Sequence, residues 1–524
     1  MICLALTGNT RQEWSHSLSA NRRWIDLVEL RIDMLAPAER AAEDLAAWWK
    51  DQGVSGVLPC ILTVRRTQDM GRWEGDEAQR FRLLKRLVRV LRPDYIDIEL
   101  DRIGLADWDG LTAGVFGQGG TVIRSYHDGR GTPDDLSAIT ARLASNPHEI
   151  PKLAVMAQSE LDTIRLVNSV REFGKLMPHR KGIWVAMGEY GLPTRVWPAR
   201  TGSLLTYASD PAFAPAAPGH LEPRLLREVY RVGTARPTWP AYAILGSPVA
   251  HSRSPEYHNA LMAREGIEGV YLPVRLDSFE TFPQVAEAYG LRGASVTVPH
   301  KEAALEFVEN SNAAGITPAA RDCGAANTLW LGPEGSGTEG SGSEGWHADN
   351  TDVRAFRESL EEAIRVKLGK SLSDVQFLVI GAGGAARAVL AALSGENAPL
   401  QSKNVQLANR TRLRAEVLAD EFGIPKDKVY SLYQLDVIPS GSLDVIIQTT
   451  SVGMEHGAAG DPSEGYQFDG TELAYDLVYT PPETAFLRRA REAGCPTANG
   501  EAMFEGQAAL QSELFMKTVN RSGL

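Results

Sequence analysis

Val379-Ile380-Gly381-Ala382-Gly383-Gly384-Ala385-Ala386 is the stretch on which the reading of this chain turns. Apolar residues lead into it, and the helical run 388–393 leads out. Glycines at 381, 383 and 384 let the backbone turn tightly and approach a pyrophosphate, whose charge then sits at a helix N-terminus. A glycine-rich turn alone is weak evidence. Here a second β-type run, 405–408, follows about 25 residues on, completing the strand–turn–helix–strand order that such a site needs.

The end of that second run decides the nucleotide. An NAD site carries Asp or Glu there to bind the ribose hydroxyls. This chain has Asn409-Arg410-Thr411 and then Arg414. An acid is absent and two guanidiniums can grip a 2′-phosphate, so NADP(H) is expected rather than NAD. The alternative is that Arg410 and Arg414 are ordinary surface helix residues. Gly381, Ala382, Gly383, Gly384 and Ala385 complete the expected cofactor turn.

Working outward, further β runs at 376–380, 445–448 and 474–477 belong to the same region, and 241–245, 270–274, 294–298 and 327–331 precede it. The stretch 332–345, almost all Gly, Ser, Glu and Thr, reads as a solvated loop joining two strands. Upstream, eight β runs at 2–7, 25–32, 57–64, 95–100, 121–125, 152–157, 182–187 and 203–207 alternate with helical stretches such as 37–50, 76–91, 133–145 and 159–173. Eight such units suit a closed (β/α)₈ barrel; an open doubly wound sheet is the alternative that periodicity leaves standing. One helical piece, 222–230, and then Arg236-Pro237-Thr238-Trp239-Pro240 mark the seam, because two close prolines cannot continue a helix.

A chain of 524 residues exceeds one core. Its net charge of −12 disfavours nucleic acid and anionic membranes. No apolar run reaches the ~18 residues of a membrane span, and Met1-Ile2-Cys3-Leu4-Ala5-Leu6 lacks the basic start of a secretory leader. Cys3, Cys60, Cys323 and Cys495 are scattered, so free thiols in a cytoplasmic, reducing setting are expected, with no metal.

Polar clusters stand at strand ends ahead of the nucleotide turn: Ser252-Arg253-Ser254-Pro255, Thr297-Val298-Pro299-His300-Lys301, Ala325-Ala326-Asn327-Thr328 and Asp349-Asn350-Thr351-Asp352. Hydroxyls and an amide suit a polyol. A lysine–aspartate pair can deliver a proton to an oxygen as hydride arrives at its carbon. Singly, each cluster could be a cap or a turn. In order, and with Thr449-Thr450-Ser451-Val452-Gly453-Met454, Tyr475-Asp476-Leu477-Val478-Tyr479 and Asn499-Gly500-Glu501-Ala502-Met503-Phe504-Glu505-Gly506-Gln507, they closely resemble shikimate dehydrogenase from about 241 onward. The resemblance implies Lys301 and Asp352 as the catalytic pair. Ser252, Ser254, Thr297, Asn327, Tyr479 and Gln507 would hold the substrate, and Leu477 and Gly500 would line the nicotinamide end. Val353 departs from the Gly common in relatives.

In the first half, Glu29, Arg31, Arg65, Glu74, His127, Lys152 and Arg195 sit in or just past β runs, where a barrel places its active site. A lysine inside Lys152-Leu153-Ala154-Val155-Met156 is uncommon, since burial disfavours its charge and frees an amine for imine formation. A surface-edge lysine and a turn histidine are the bland readings. Val28-Glu29-Leu30-Arg31, Leu62-Thr63-Val64-Arg65, Tyr95-Ile96-Asp97-Ile98-Glu99, Ser125-Tyr126-His127-Asp128 and Pro151-Lys152 together look like type I 3-dehydroquinate dehydratase, over residues 1 to about 230. That resemblance implies a Schiff base on Lys152, proton movement by His127, Glu74 orienting His127, carboxylate binding by Arg65 and Arg195, and hydroxyl binding by Glu29 and Arg31. The family usually ends its last loop Ser-Ala-Pro-Gly-Gln. This chain has Ala216-Ala217-Pro218-Gly219-His220, which removes one donor and leaves His220 as a candidate substrate contact.

The implied organisation is a barrel at 1–232, a linker at 233–240, a substrate lobe at 241–370 completed by a helix near 501–524, and a Rossmann NADP lobe at 371–500. It resembles the fused shikimate-pathway enzymes of plants. 3-Dehydroquinate, 3-dehydroshikimate and shikimate are the expected small-molecule partners of a monomer or homodimer. Two other readings are a lysine lyase joined to a quinate dehydrogenase, and a regulator built from degenerate domains. The first predicts NAD preference; the second predicts loss of Lys152, His127, Lys301 or Asp352, all of which are present.

Overall fold

The computed structural model describes residues 1–54, 56–333, 344–394, 402–455 and 457–519. The chain forms two compact units, Met1–Leu291 and Arg292–Leu524. The first begins with eight parallel strands: β1 (Ile2–Leu6), β2 (Leu27–Arg31), β3 (Cys60–Thr63), β4 (Tyr95–Glu99), β5 (Thr121–Asp128), β6 (Ile150–Met156), β7 (Ile183–Met187) and β8 (Thr206–Ala208). Each of β1 to β6 pairs with the next, and β8 pairs with β1. A parallel bridge between Gly182 and Ser203 closes the circle, with Leu204 N–H donating to Gly182 O at 2.8 Å. Strands in unbroken chain order make a barrel, whereas a doubly wound sheet reverses direction at its first strand. The open-sheet alternative is therefore overturned.

Local chemistry explains the helices that wrap the barrel. Helix Glu77–Leu91 starts at a capping box in which Asp76 accepts from Gln79 N–H at 2.6 Å, and it stops at Arg92 in the left-handed region (φ 47°). It turns Leu84, Leu87 and Val88 inward at helical spacing. Inside the barrel, Cys3, Leu27, Ile61, Ile123, Ile183 and Val185 pack into one apolar floor. Burial of each aliphatic side chain contributes about 1.5–3 kcal/mol.

The first unit continues with β9 (Ala241–Gly246) and β10 (Val270–Arg275), parallel in register from Ala241 opposite Val270, flanked by helices Ser254–Arg264 and Phe282–Tyr289. β11 (Leu291–Val296) starts at the division. In the second unit it pairs antiparallel with β12 (Thr328–Pro333), which pairs antiparallel with β13 (Glu344–Asp349). Of the expected 332–345 loop, residues 334–343 lie outside the described residues; at its flanks Leu331 stands opposite Trp346.

The rest of the second unit is a six-stranded parallel sheet of β14 (Phe377–Ile380), β15 (Val405–Asn409), β16 (Val429–Ser431), β17 (Val445–Gln448), β18 (Leu473–Asp476) and β19 (Thr497–Ala498). Its order, β16-β15-β14-β17-β18-β19, is the Rossmann order, with the switch point between β14 and β17. Both faces are covered: Phe377 and Val379 join one core, Leu378 and Ile380 the other. β16 and β19, three and two residues long, are too short to show a period and were not anticipated. Among the described residues no helix is long and apolar enough to cross a membrane, no His, Cys, Asp and Glu cluster is arranged for a metal, and all four cysteines are free and buried.

Candidate active sites

A cavity of about 480 Å³, open to solvent, lies within the barrel and is lined by Glu29, Arg31, Arg65, His127, Lys152, Arg195 and His220. Strand register brings them together. Ser125 on β5 stands level with Glu99 on β4 and Lys152 on β6, so β5 sets Lys152 beside the β4 carboxylates. His127 is two residues above Ser125, on the same face.

The lysine does not sit in an apolar slot, as its sequence context suggests. Its Nζ is 2.8 Å from Asp97, which is fully buried on β4. Asp97 also pairs with Arg65 at 2.6 Å and accepts from the Ser125 hydroxyl at 2.5 Å. Arg65 extends to Glu99 at 3.1 Å, and Glu99 is held again by Arg80 at 2.9 Å, from helix Glu77–Leu91. The flanking guanidinium and ammonium keep Asp97 well below the usual carboxylate range despite burial. Tyr207 closes the lysine's other side, its ring centroid 4.4 Å from Nζ. Asp97, Glu99, Arg80 and Tyr207 are contributions the sequence reading missed. The signal for the first two was present: carboxylates two apart on a strand share one face.

His127 is held neutral. Burial, then the charges of Arg65 and Lys152, push its pKa well below the ordinary value, and its Nδ1 is buried without a partner among the described residues. The arginines divide by pairing. Arg31 grips Asp33 with two bonds of 2.8 and 3.0 Å, and Arg65 is taken by Asp97 and Glu99. Arg195 has no carboxylate partner among the described residues. Its Nη2 donates to Pro218 O at 2.8 Å, while Nε and Nη1 are buried and unpaired among the described residues. Desolvation pushes its pKa down to about 9. An unmatched buried cation is costly, so the cavity is built for an anion.

Two further expectations meet particular placements. Glu74 is exposed on the loop after the Arg66–Trp73 bridge and does not line the cavity. Ala216 does line it and offers no donor, whereas His220 is fixed by a 2.6 Å contact from Nδ1 to Ser209 Oγ and stacks on Tyr207. Gly219 (φ +81°) is required there, since a Cβ would stand 2.9 Å from Gly188 O.

Ser252 and Ser254 lie in the first unit, between β9 and helix Ser254–Arg264; Ser252 Oγ accepts from Ser254 N–H at 3.2 Å. In the second unit, Lys301 opens helix Lys301–Asn312 and Asp352 lies in the first turn of helix Thr351–Leu368. Their Nζ and Oδ2 are 2.6 Å apart, and both side chains keep some access to solvent. Asn327 Oδ1 accepts from Thr351 N–H at 2.8 Å, fixing the start of the helix that carries Asp352. Gln511 donates to Asn327 O at 3.2 Å, which puts Gln507, one turn earlier, on the same face of helix Glu501–Val519. Thr297 and Tyr479 are half-buried, and Tyr479 packs on Phe504 at 4.8 Å.

The nucleotide turn adjoins this couple: a Cβ on Gly384 would stand 3.8 Å from Lys301 Cδ. Gly381 (φ +129°) lies so close to the chain after β17 that a Cβ would meet Thr449 Oγ1 at 2.2 Å, while Gly383 has open space before it. Gly500 N–H donates to Val478 O, and a Cβ there would meet Leu477 O at 2.1 Å, so Leu477 and Gly500 are adjacent. Asn409 is half-buried at the end of β15. Arg410, Thr411 and Arg414 are exposed beyond it, and neither guanidinium has a hydrogen bond or ion pair among the described residues. Open glycine backbone, a helix N-terminus and two unengaged guanidiniums fit a dinucleotide bearing a 2′-phosphate.

Comparison with known proteins agrees with this geometry. The family described as type I 3-dehydroquinase matches residues 2–236, the shikimate dehydrogenase substrate binding domain matches 244–329, and shikimate/quinate 5-dehydrogenase matches 362–455. The chain is 32% identical, over 96% of its length and 78% of the relative's, to the chloroplastic bifunctional 3-dehydroquinate dehydratase/shikimate dehydrogenase of Arabidopsis thaliana. It is 35% identical to the NADP(+) shikimate dehydrogenase of Bacillus licheniformis, over 53% of this chain and 91% of that one. A solved dehydroquinate dehydratase and shikimate dehydrogenase from S. pombe aligns over 99% of this chain and 97% of its own, at 22% identity and a TM-score of 0.40. The chain belongs to the family of fused, bifunctional 3-dehydroquinate dehydratase/shikimate dehydrogenases.

Proposed function

We propose that the barrel dehydrates 3-dehydroquinate to 3-dehydroshikimate through an imine on Lys152, and that the C-terminal half reduces 3-dehydroshikimate to shikimate with NADPH. The observation that carries the first half is the meeting of Lys152, Asp97 and a neutral His127 in one cavity with the unmatched Arg195.

In this reading Arg195 receives the substrate carboxylate, and Glu29, Arg31 and His220 meet its hydroxyls. Arg65 acts mainly by holding Asp97. The lysine amine attacks the ketone, the carbonyl oxygen leaves as water with the amine's two protons, and the imine nitrogen takes up one proton from solvent. The resulting iminium keeps its positive charge beside Asp97. His127 then takes a proton from the carbon next to the imine, and the C–H electrons move toward nitrogen. As they return, the neighbouring C–O bond breaks and His127 gives its proton to the departing hydroxyl. Hydrolysis of the imine frees the lysine. Placement in the exposed loop does not support the role for Glu74 implied by resemblance.

In the second half, the 381–385 turn with Asn409, Arg410, Thr411 and Arg414 would hold NADPH, which would supply hydride when bound. Lys301 gives a proton to the ketone oxygen, and Asp352, 2.6 Å from its Nζ, holds the side chain in place. Ser252, Ser254, Thr297, Asn327, Tyr479 and Gln507 orient the carboxylate and hydroxyls. The domain limits proposed are 1–232, 233–240, 241–370 with the C-terminal helix, and 371–500. Four buried, unbridged thiols support a reducing compartment, and we read the chain as a cytoplasmic monomer or homodimer acting on small molecules, without nucleic acid or membrane.

One assay tests the whole reading. The chain is given 3-dehydroquinate and NADPH, and NADPH absorbance is followed; it should fall without added dehydratase. Consumption with 3-dehydroshikimate only would defeat the barrel assignment, and no consumption with either would defeat the dehydrogenase assignment.

A further inference from the structure

The turn after β7 faces two ways. Toward the barrel, Met187 lines the cavity and Gly188 N–H donates to Pro218 O at 3.3 Å, next to the loop that bears His220. Away from the barrel, Glu189 reaches into the segment between β9 and helix Ser254–Arg264. One of its carboxylate oxygens accepts from Val249 N–H at 3.1 Å and Ala250 N–H at 3.3 Å; the other pairs with Arg275 of β10 at 2.9 Å. Tyr190 adds to the same junction. Its hydroxyl donates to Asp277, and the Arg275 guanidinium lies 4.5 Å from its ring centroid. Asp277 in turn accepts from Ser247 at 3.1 Å. The first half of the 247–254 loop is thus tied to a carboxylate that the barrel supplies, and its second half carries Ser252 and Ser254.

We propose that Glu189 is a positioning residue for the dehydrogenase reaction, contributed by the dehydratase barrel, which sets the loop presenting Ser252 and Ser254 to substrate. This rests on the assignment of those two serines made above. Amide hydrogen bonds to a carboxylate are roughly twice as strong as neutral ones, whereas a half-exposed ion pair adds little. The two loop amides, rather than Arg275, therefore carry the effect.

The test uses the full chain and shikimate oxidation with NADP⁺. Glu189→Ala should raise KM for shikimate about tenfold, while kcat and KM for NADP⁺ stay within about twofold. Dehydration of 3-dehydroquinate should be unaffected. Glu189→Gln retains an acceptor oxygen for both amides and should stay within about threefold of the parent, as should Arg275→Ala. An unchanged shikimate KM in Glu189→Ala would overturn the proposal. So would a rise shared equally by NADP⁺, which signals general loosening, or a tenfold rise in both Glu189→Gln and Arg275→Ala, which assigns the effect to the ion pair. If Glu189→Ala fails to fold, the Gln and Arg275 variants still decide between amide and ion-pair roles. Ser252→Ala separates this inference from its premise. A normal shikimate KM in Ser252→Ala removes the assignment of the serine, whereas a raised KM there with a normal one in Glu189→Ala removes only the role of Glu189.

Discussion

Lys152 and Lys301 each end against an aspartate, at 2.8 and 2.6 Å, yet their surroundings differ in kind. Lys152 rises from the middle of a strand into a buried net in which Asp97 also serves Arg65 and Ser125. Lys301 stands at the head of a helix with one carboxylate and part of its side chain in solvent. A lysine that becomes covalently bound to substrate needs a counter-charge that survives each change of bonding, so the charge is fixed by several donors. A lysine that hands over one proton needs only a single partner to aim it and a route to water.

The largest test of this contrast removes the amine. Lys152→Ala should lower dehydration by at least about a thousandfold and abolish borohydride-trapped adduct at the 152 peptide, with shikimate oxidation unchanged. Joint loss of both activities would mean that the two halves do not work independently.

The aspartates come next. Asp97→Asn should lower dehydratase kcat about a hundredfold and also destabilise the first unit by about 3 kcal/mol in denaturant unfolding, because Arg65 and Lys152 lose their shared counter-charge in a buried site. Asp352→Asn should cost the dehydrogenase about a hundredfold in kcat, with under about 1 kcal/mol of stability. Equal stability losses would erase the distinction between net and pair.

A smaller effect is expected at the nucleotide. Arg410→Ala with Arg414→Ala should raise KM for NADPH about tenfold and leave KM for NADH nearly unchanged. A parallel rise for both cofactors would show that the arginines do not meet the 2′-phosphate.

The smallest effect separates the halves by pH. Burial, followed by Arg65 and Lys152, holds His127 far below its ordinary pKa, and burial followed by Arg195 does the same to His220. Unfolded, both rings take up protons near pH 6.5; folded, they resist. The unfolded state therefore binds more protons below that point, and stability falls as pH drops from about 6.5 toward 5, by about 1 kcal/mol per ring per pH unit. Urea midpoints of the parent and of His127→Gln with His220→Gln measure it, and an equal slope in the two would refute the assignment.

Much of this was legible in the sequence. All eight barrel strands show as apolar runs in chain order, and the predicted runs beginning at Gly182 and Ser203 contain the bridge that closes the barrel. Lys301 and Asp352 were readable because each lies in a short motif. The net around Lys152 was not readable in the same way. Arg65 and Glu99 are 34 residues apart, and Lys152 and Asp97 are 55 apart, so their meeting depends on strand register, which local periodicity does not set. The place of Glu74 was hidden for a related reason: it follows from how the loop folds back through the Arg66–Trp73 bridge, not from its neighbours in sequence.

Arg195 has a practical consequence at the bench. Two N–H groups of its desolvated guanidinium have no partner among the described residues. Acetate, citrate or any other small carboxylate in a storage buffer can neutralise it. Such additives will raise the melting temperature of the first unit and, by the same contact, compete with substrate, so the conditions that best preserve the protein will make its dehydratase look slowest.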